Sequence, residues 1–304
     1  MYQGLIHTTI AVFVALLHAH AFAEGKLISR AVQKELALPE SQIDIGIAAL
    51  TIAKEAYPGL DIKTYSVKLD ELAGKARWLA KGTPDPETRI RVLNTVLFRH
   101  EGFRYDHEGF AQGGRKEHYY LNGILDAKKG NCFTMPLLYV AVAQRLGWPI
   151  YPVTTPSHLF ARYADPAFTR QNIETTSGGK YFEDEWYIKD FSIGPSALNA
   201  RSYLRTLTYK EYLGHILYAG AYAFTKDGHK VLAYTEKAAA LDPRDPTFYQ
   251  SLGDGYLAKS KITNGKLGEE FREKSRKATA KAKQLGYVDE ESIKIGRLTR
   301  GQLR

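Results

Sequence analysis

The stretch that most constrains this chain runs from Met135 to Leu146, which would be apolar on nearly every side of a helix. A surface helix carries one apolar stripe, whereas a helix apolar all round has to be enclosed by other elements. Gly147 stops it, and Gly130-Asn131-Cys132 breaks the pattern ahead of it. Downstream, Ile150–Thr154, Leu159–Tyr163 and, after a polar loop, Asn172–Thr176 read as strands. Glu185–Phe191 alternates, with Trp186, Ile188 and Phe191 as markers, and reads as a fourth strand. A central helix followed by antiparallel strands indicates an α+β core.

Upstream, Ser41 to Arg99 reads as helical. Ile45, Ala48, Ala49, Ile52, Ala53 and Ala56 fall on one side of a helix that Pro58 and Gly59 end. Asp61 can cap the next helix, with Leu69, Leu72 and Trp78 as its apolar positions. Asp85-Pro86 opens a third, whose face includes Ile90, Leu93, Val96 and Leu97. Glu101–Glu117 is glycine-rich and polar and reads as a surface loop. Around it, His100, Glu101, Asp106, His107 and His118 match no standard zinc spacing, so no metal is expected.

Beyond Tyr209 the chain returns to helix. Ala238-Ala239-Ala240-Leu241-Asp242-Pro243, then Pro246, Tyr249, Leu252, Gly253 and Tyr256, resembles the junction between tetratricopeptide repeats. Only about two units fit, and two helix pairs make no solenoid alone, so this segment must pack on the core or cap it.

At the other end, Leu5 to Leu17 is largely apolar with no ionised side chain, and Ala21-Phe22-Ala23 supplies small residues around a cleavage site. This reads as a secretory signal peptide cut near Ala23, although no Lys or Arg precedes the apolar run; an uncleaved anchor is the alternative. The expected location is periplasmic or secreted, with no membrane span after signal removal. The 42 basic against 33 acidic side chains give a net charge of +9, densest around Lys274, Arg276, Lys277, Lys281 and Lys283. A basic surface suits acidic polymers, cell-wall material or nucleic acid. The ordinary reading is a solvated helix face, and export argues against nucleic acid.

An exported chain with one cysteine forms no internal disulfide, so Cys132 is either an inert buried thiol or a used one. It stands where the chain enters the buried helix, and helix N-termini favour anions. A nearby imidazole would stabilise its thiolate and later protonate a leaving group. His158 begins a strand, and the next strand offers Glu174. Adjacent antiparallel strands bring such side chains within reach if the register is right. Asn172 could hold the imidazole instead if the register differs. Pro136 fits a helix that starts after Cys132.

Gly-Asn-Cys opening an apolar helix, then His on a strand, then an acid on the next, resembles the transglutaminase-like superfamily. The stretch from Ala48 through Tyr57-Pro58-Gly59-Leu60 to Leu72, then Leu97-Phe98 and Gly102-Phe103, resembles the helical region preceding this core in one bacterial branch, in which a tetratricopeptide segment commonly follows. The resemblance implies a papain-like core, thioester chemistry at the cysteine and no obligatory cofactor. The superfamily's acid is usually Asp, so Glu174 departs by one methylene. Cys132, His158 and Glu174 are the expected catalytic residues. The backbone N–H of Cys132 is the first choice of oxyanion donor, with Asn131 or Tyr120 behind it.

The expected organisation is a signal peptide at 1–23, helices at 24–100, the transglutaminase-like core at 101–205 and a tetratricopeptide-like segment with a basic tail at 206–304. The expected function is an exported cysteine-dependent enzyme that cleaves or transfers a peptide or isopeptide bond, with hydrolysis favoured. Its substrate would be a protein or a cell-wall peptide. The alternative is a non-catalytic scaffold whose C-terminal helices bind a protein partner.

Overall fold

The computed structural model describes residues 27–111 and 116–299. The expected signal segment and its cleavage site lie outside the described residues. After α1 (Arg30–Ala37), α2 (Ile45–Ala53) is buried from Ala48 through Ala53 on all sides. The expected positions Ile45, Ala48, Ala49, Ile52 and Ala53 are buried, but so are Leu50 and Thr51, and Ala56 lies beyond the helix end. Five helices enclose α2: α1, α3 (Ile62–Ala80), α6 (Leu121–Ala127), α7 (Thr134–Arg145) and α10 (Tyr209–Phe224).

Asp61 caps α3 as expected, accepting the Lys63 N–H. Leu69, Leu72, Ala73, Ala76 and Ala80 make its inner face, at helical spacing. Trp78 falls off that stripe and is 77% exposed, against expectation. Asp85 accepts the Thr88 N–H at 2.8 Å and opens α4 (Pro86–Asn94), which continues as a wider turn through Thr95–His100.

The 101–117 stretch is more than a surface loop. Its strand β1 (Arg104–Tyr105) pairs in parallel with β2 (Lys129–Gly130), and α5 (His107–Ala111) follows β1. Phe103 and Asp106 are buried, and Asp106 meets buried His118 at 3.1 Å. Phe103 and the Asp106–His118 contact hold this polar sequence inward. Helix α7 is buried from Thr134 to Ala143, as its composition requires. Pro136 falls in its first turn, where no intrahelical N–H is lost.

Three strands form an antiparallel sheet in chain order: β3 (Ile150–Thr155), β4 (His158–Tyr163) and β5 (Asn172–Ile173). The outer edge of β3 is covered, since Leu204 and Leu207 donate to the Thr154 and Pro152 carbonyls. The expected fourth strand is a helix, α8 (Asp184–Asp190). Seven residues cannot separate a two-residue from a helical period by apolar positions alone. Here Asp184 and Glu185 occupy the first turn, where the helix end favours negative charge. Tyr187 and Phe191, four apart, face inward together.

After α9 (Pro195–Ala200), α10 is followed by α11 (Gly228–Leu241), α12 (Pro246–Lys261) and α13 (Gly265–Gln284), each packed on the next. Gly253 of α12 lies against Ser275 and Thr279, while Tyr256 meets Phe271, so these two helices run antiparallel. This segment packs on the core through α10, and the final α14 (Glu290–Thr299) returns to pack on α8.

Gly123 sets how closely α6 approaches the turn before it. A Cβ there would stand 2.1 Å from the Glu117 carbonyl oxygen, a backbone atom that cannot swing aside. Gly123→Ala should therefore destabilise the fold by about 3 kcal/mol or more. Urea unfolding measures this as a lowered midpoint at unchanged slope.

Candidate active site

Cys132 occupies the turn between β2 and α7. The Asn131 side-chain oxygen accepts the N–H groups of Phe133 and Thr134, both at 2.9 Å, filling two donors that a helix start leaves open. Thr134 Oγ1 accepts the Asn131 N–H at 3.2 Å and donates to the His118 carbonyl at 3.1 Å. The residues on both sides of the cysteine are thereby pinned. The thiol is partly buried, 3.8 Å from the Ser157 carbonyl, and lines one cleft with His158. Ser157 reaches that position with φ +55°, a left-handed conformation that costs a non-glycine residue roughly 1–2 kcal/mol.

His158 begins β4, and the register explains its partner. Ala161 faces Ile173 and Arg162 faces Asn172, so Glu174, just beyond β5, shares a face with His158 and lies diagonally across from it. Its carboxylate meets His158 Nε2 at 2.8 Å. The same Glu174 oxygen accepts the buried Tyr187 hydroxyl at 3.1 Å. The other accepts the Thr176 N–H and hydroxyl, at 3.0 and 2.6 Å. The imidazole stacks on Phe191 at 5.0 Å.

Burial disfavours a charged ring, but the Glu174 carboxylate and the Cys132 sulfur outweigh it and push His158 up to about 10 from an ordinary 6.5. Burial would likewise raise Glu174, yet His158 and Thr176 hold it below its ordinary value. Burial, reinforced by the charges at Cys132 and Glu174, pushes the Tyr105 phenol up to about 12. Tyr105 thus stays a protonated donor beside the thiol.

The three expected residues therefore come together. Asn172 does not join them: it accepts from Arg162 at 2.7 Å and donates to Phe182 and Asp184. Tyr120 is occupied elsewhere, donating to the Gly220 carbonyl at 2.7 Å, and the Asn131 oxygen is spent on the helix start. The Cys132 N–H has no acceptor among the described residues.

Cys132 and His158 stand at a waist between two cavities. One, of about 410 Å3, is walled by Trp186 and Phe191 and by Glu290, Ile293, Lys294 and Arg297 of α14. Arg297 pairs with Asp190 and lies over the Phe191 ring, which latches α14 to α8. The other, of about 540 Å3, reaches His215, Tyr218, Asp245 and Phe248 of the C-terminal helices. Sequence reasoning missed α14 altogether, and nothing local in its residues signals it. Thr176, two residues after Glu174, was the one recoverable clue.

Among the described residues, His215, Asp242 and Asp245 form one group with metal-binding atoms, all within 4.8 Å of one another. Asp242 is already paired with Arg205 and His215, and Asp245 accepts the Thr247 N–H at the start of α12. This group reads as the charged joint between α11 and α12.

A family model described as the transglutaminase-like superfamily matches residues 63–217, just over half of the chain. Over 114 residues the chain is 26% identical to a UPF0162 protein of Xylella fastidiosa, covering 38% of this chain and 40% of that protein. Over 83 residues it is 37% identical to F-box only protein 21 of Pongo abelii, covering 26% and 13%. The chain thus spans less than half the length of the curated relatives it matches. A crystal structure of menin, described as revealing the binding site for the Mixed Lineage Leukemia (MLL) protein, superposes with a TM-score of 0.45 at 14% identity. That match covers 82% of this chain and 67% of that one.

The folded His158 ring holds its proton more tightly than an unfolded one. Its contribution to stability is fully present below about 6.5 and is lost as pH rises toward about 10. Glu174 acts oppositely, contributing above its unfolded value of 4.5 and losing that contribution as pH falls through its lowered folded value. Thermal melts should decline on the alkaline side in the wild type and be flatter in His158→Ala. Parallel alkaline slopes in the two proteins would contradict the buried ion pair.

Proposed function

Because the chain belongs to the transglutaminase-like superfamily, we propose that it is a cysteine-dependent enzyme acting on an amide bond, with hydrolysis the favoured outcome. The observation that carries this is the His158–Glu174 pair, 2.8 Å apart, lining one open cleft with the Cys132 thiol.

In the proposed reaction the Cys132 thiolate, paired with the protonated imidazole, attacks the amide carbonyl carbon. The carbonyl π pair moves onto oxygen, where the Cys132 N–H is the first donor in reach. The oxyanion collapses, the C–N bond breaks, and His158 passes its proton to the departing amine. A thioester remains. The now neutral His158 takes a proton from water, whose oxygen attacks the thioester; the C–S bond breaks, releasing a carboxylic acid and restoring the thiolate–imidazolium pair. An amine in place of that water would give transfer. Glu174 keeps the imidazole charged and aimed, with each of its oxygens already holding two hydrogen bonds. The repeat-like helices supply one wall of the site in this reading, and the substrate is a protein or peptide.

Alkylation with iodoacetamide tests the nucleophile directly. Cys132 should label rapidly in the folded protein at neutral pH, and His158→Ala should slow labelling by about 10²-fold. Cys132→Ser should abolish peptide cleavage without lowering the melting temperature. A thiol that labels only after unfolding would falsify the proposal.

A further inference from the structure

The turn that follows Glu174 separates the Cys132 cleft from another cavity. Thr176 and Ser177 line the cleft, whereas Gly178, Gly179 and Lys180 line a groove of about 620 Å3 on the far side, and the two share no lining residue. One wall of the groove is α4 and its extension, presenting Arg91 and Arg99; the opposite wall contributes Arg170 and Lys180. The one acidic side chain in the lining is Glu87, and it lies 3.6 Å from Arg170. Arg99 and Lys180 form no salt bridge among the described residues, and Arg91 donates to the Thr88 hydroxyl with only the exposed Asp85 carboxylate feeling its charge.

That imbalance contrasts with the cleft, where His158 is matched by Glu174 and Arg297 by Asp190. Cations converging on a concave surface repel one another, and the low-dielectric wall focuses their field into the opening. Phe98, Phe168, Tyr181 and Phe182 interleave with the charges and offer apolar surface for a chain to lie on. The groove is also built into the candidate active site. The Gly179 N–H donates to the Glu174 carbonyl at 2.9 Å, the Glu174 N–H donates to the Lys180 carbonyl at 2.8 Å, and Asn94 donates to the Gly179 carbonyl at 3.1 Å. The strand end that carries the imidazole's partner is therefore the groove's own wall.

We propose that this groove is a substrate exosite that binds an acidic peptide segment, holding it one turn away from the bond presented to Cys132. That the occupant is substrate rests on the reading of Cys132 as a nucleophile; that it is acidic rests on the groove alone.

The test is fluorescence anisotropy of a labelled oligoglutamate peptide with the full chain. Binding should weaken as salt is raised, and Arg91→Gln, Arg99→Gln and Lys180→Gln together should weaken it by about ten-fold or more. These positions are exposed, so the melting temperature should hold. A control triple on α13, Arg276→Gln, Lys277→Gln and Lys283→Gln, makes the same change in net charge and should bind as the wild type does. Equal losses in the two triples, no loss in the groove triple, or no binding by the wild type would each overturn the exosite. So would a single-stranded oligonucleotide that displaces the peptide from the groove at lower concentration. Alkylation of Cys132 should proceed at the wild-type rate in the groove triple. A Cys132 that resists alkylation while the groove triple still loses the peptide would sink the nucleophile and leave the groove standing.

Discussion

The Glu174 carboxylate is the interaction on which the candidate site depends. It is almost wholly buried, and burying a charge is tolerated only when it is paired and fully hydrogen-bonded. Its oxygens draw in the His158 ring, the Tyr187 hydroxyl and the Thr176 backbone and side chain. Those groups come from the start of β4, from α8 and from the turn after β5. One charge thus ties together three elements that pattern alone leaves free to move. Phe160, Tyr187 and Phe191 stack in series beside it, and the imidazole lies on the Phe191 ring.

Much of this was legible because strong local signals agreed with the final packing. The all-round apolar run at Met135–Leu146 had to be enclosed, and it is. Asp61 and Asp85 cap the helices they were expected to open. His158 and Glu174 could be paired because the period of a strand puts alternate residues on one face, and the observed register keeps both on it.

What was not legible was decided by contacts distant in sequence. Glu185–Phe191 has markers for either period, and the choice of helix follows from Tyr187 reaching Glu174 and Phe160. Trp78 looked like core because it is large and apolar, but the stripe on α3 passes it by. The polar stretch after Glu101 is held by Phe103 and by the Asp106–His118 pair, which no composition rule reveals. Asn172 and Glu174 were both candidates for holding the imidazole, and the answer came from Arg162 and Asp184 claiming the asparagine.

Helix α14 lies more than a hundred residues after Cys132, yet it walls the cleft in which the thiol sits. Such a wall depends on a contact of high sequence separation, and contacts of that kind form late. A chain emerging from the ribosome N-terminus first would thus expose Cys132 on a half-built surface until residues 290–297 have followed. During that interval the thiol has neither its aromatic shelf latched nor its cleft closed on the α14 side.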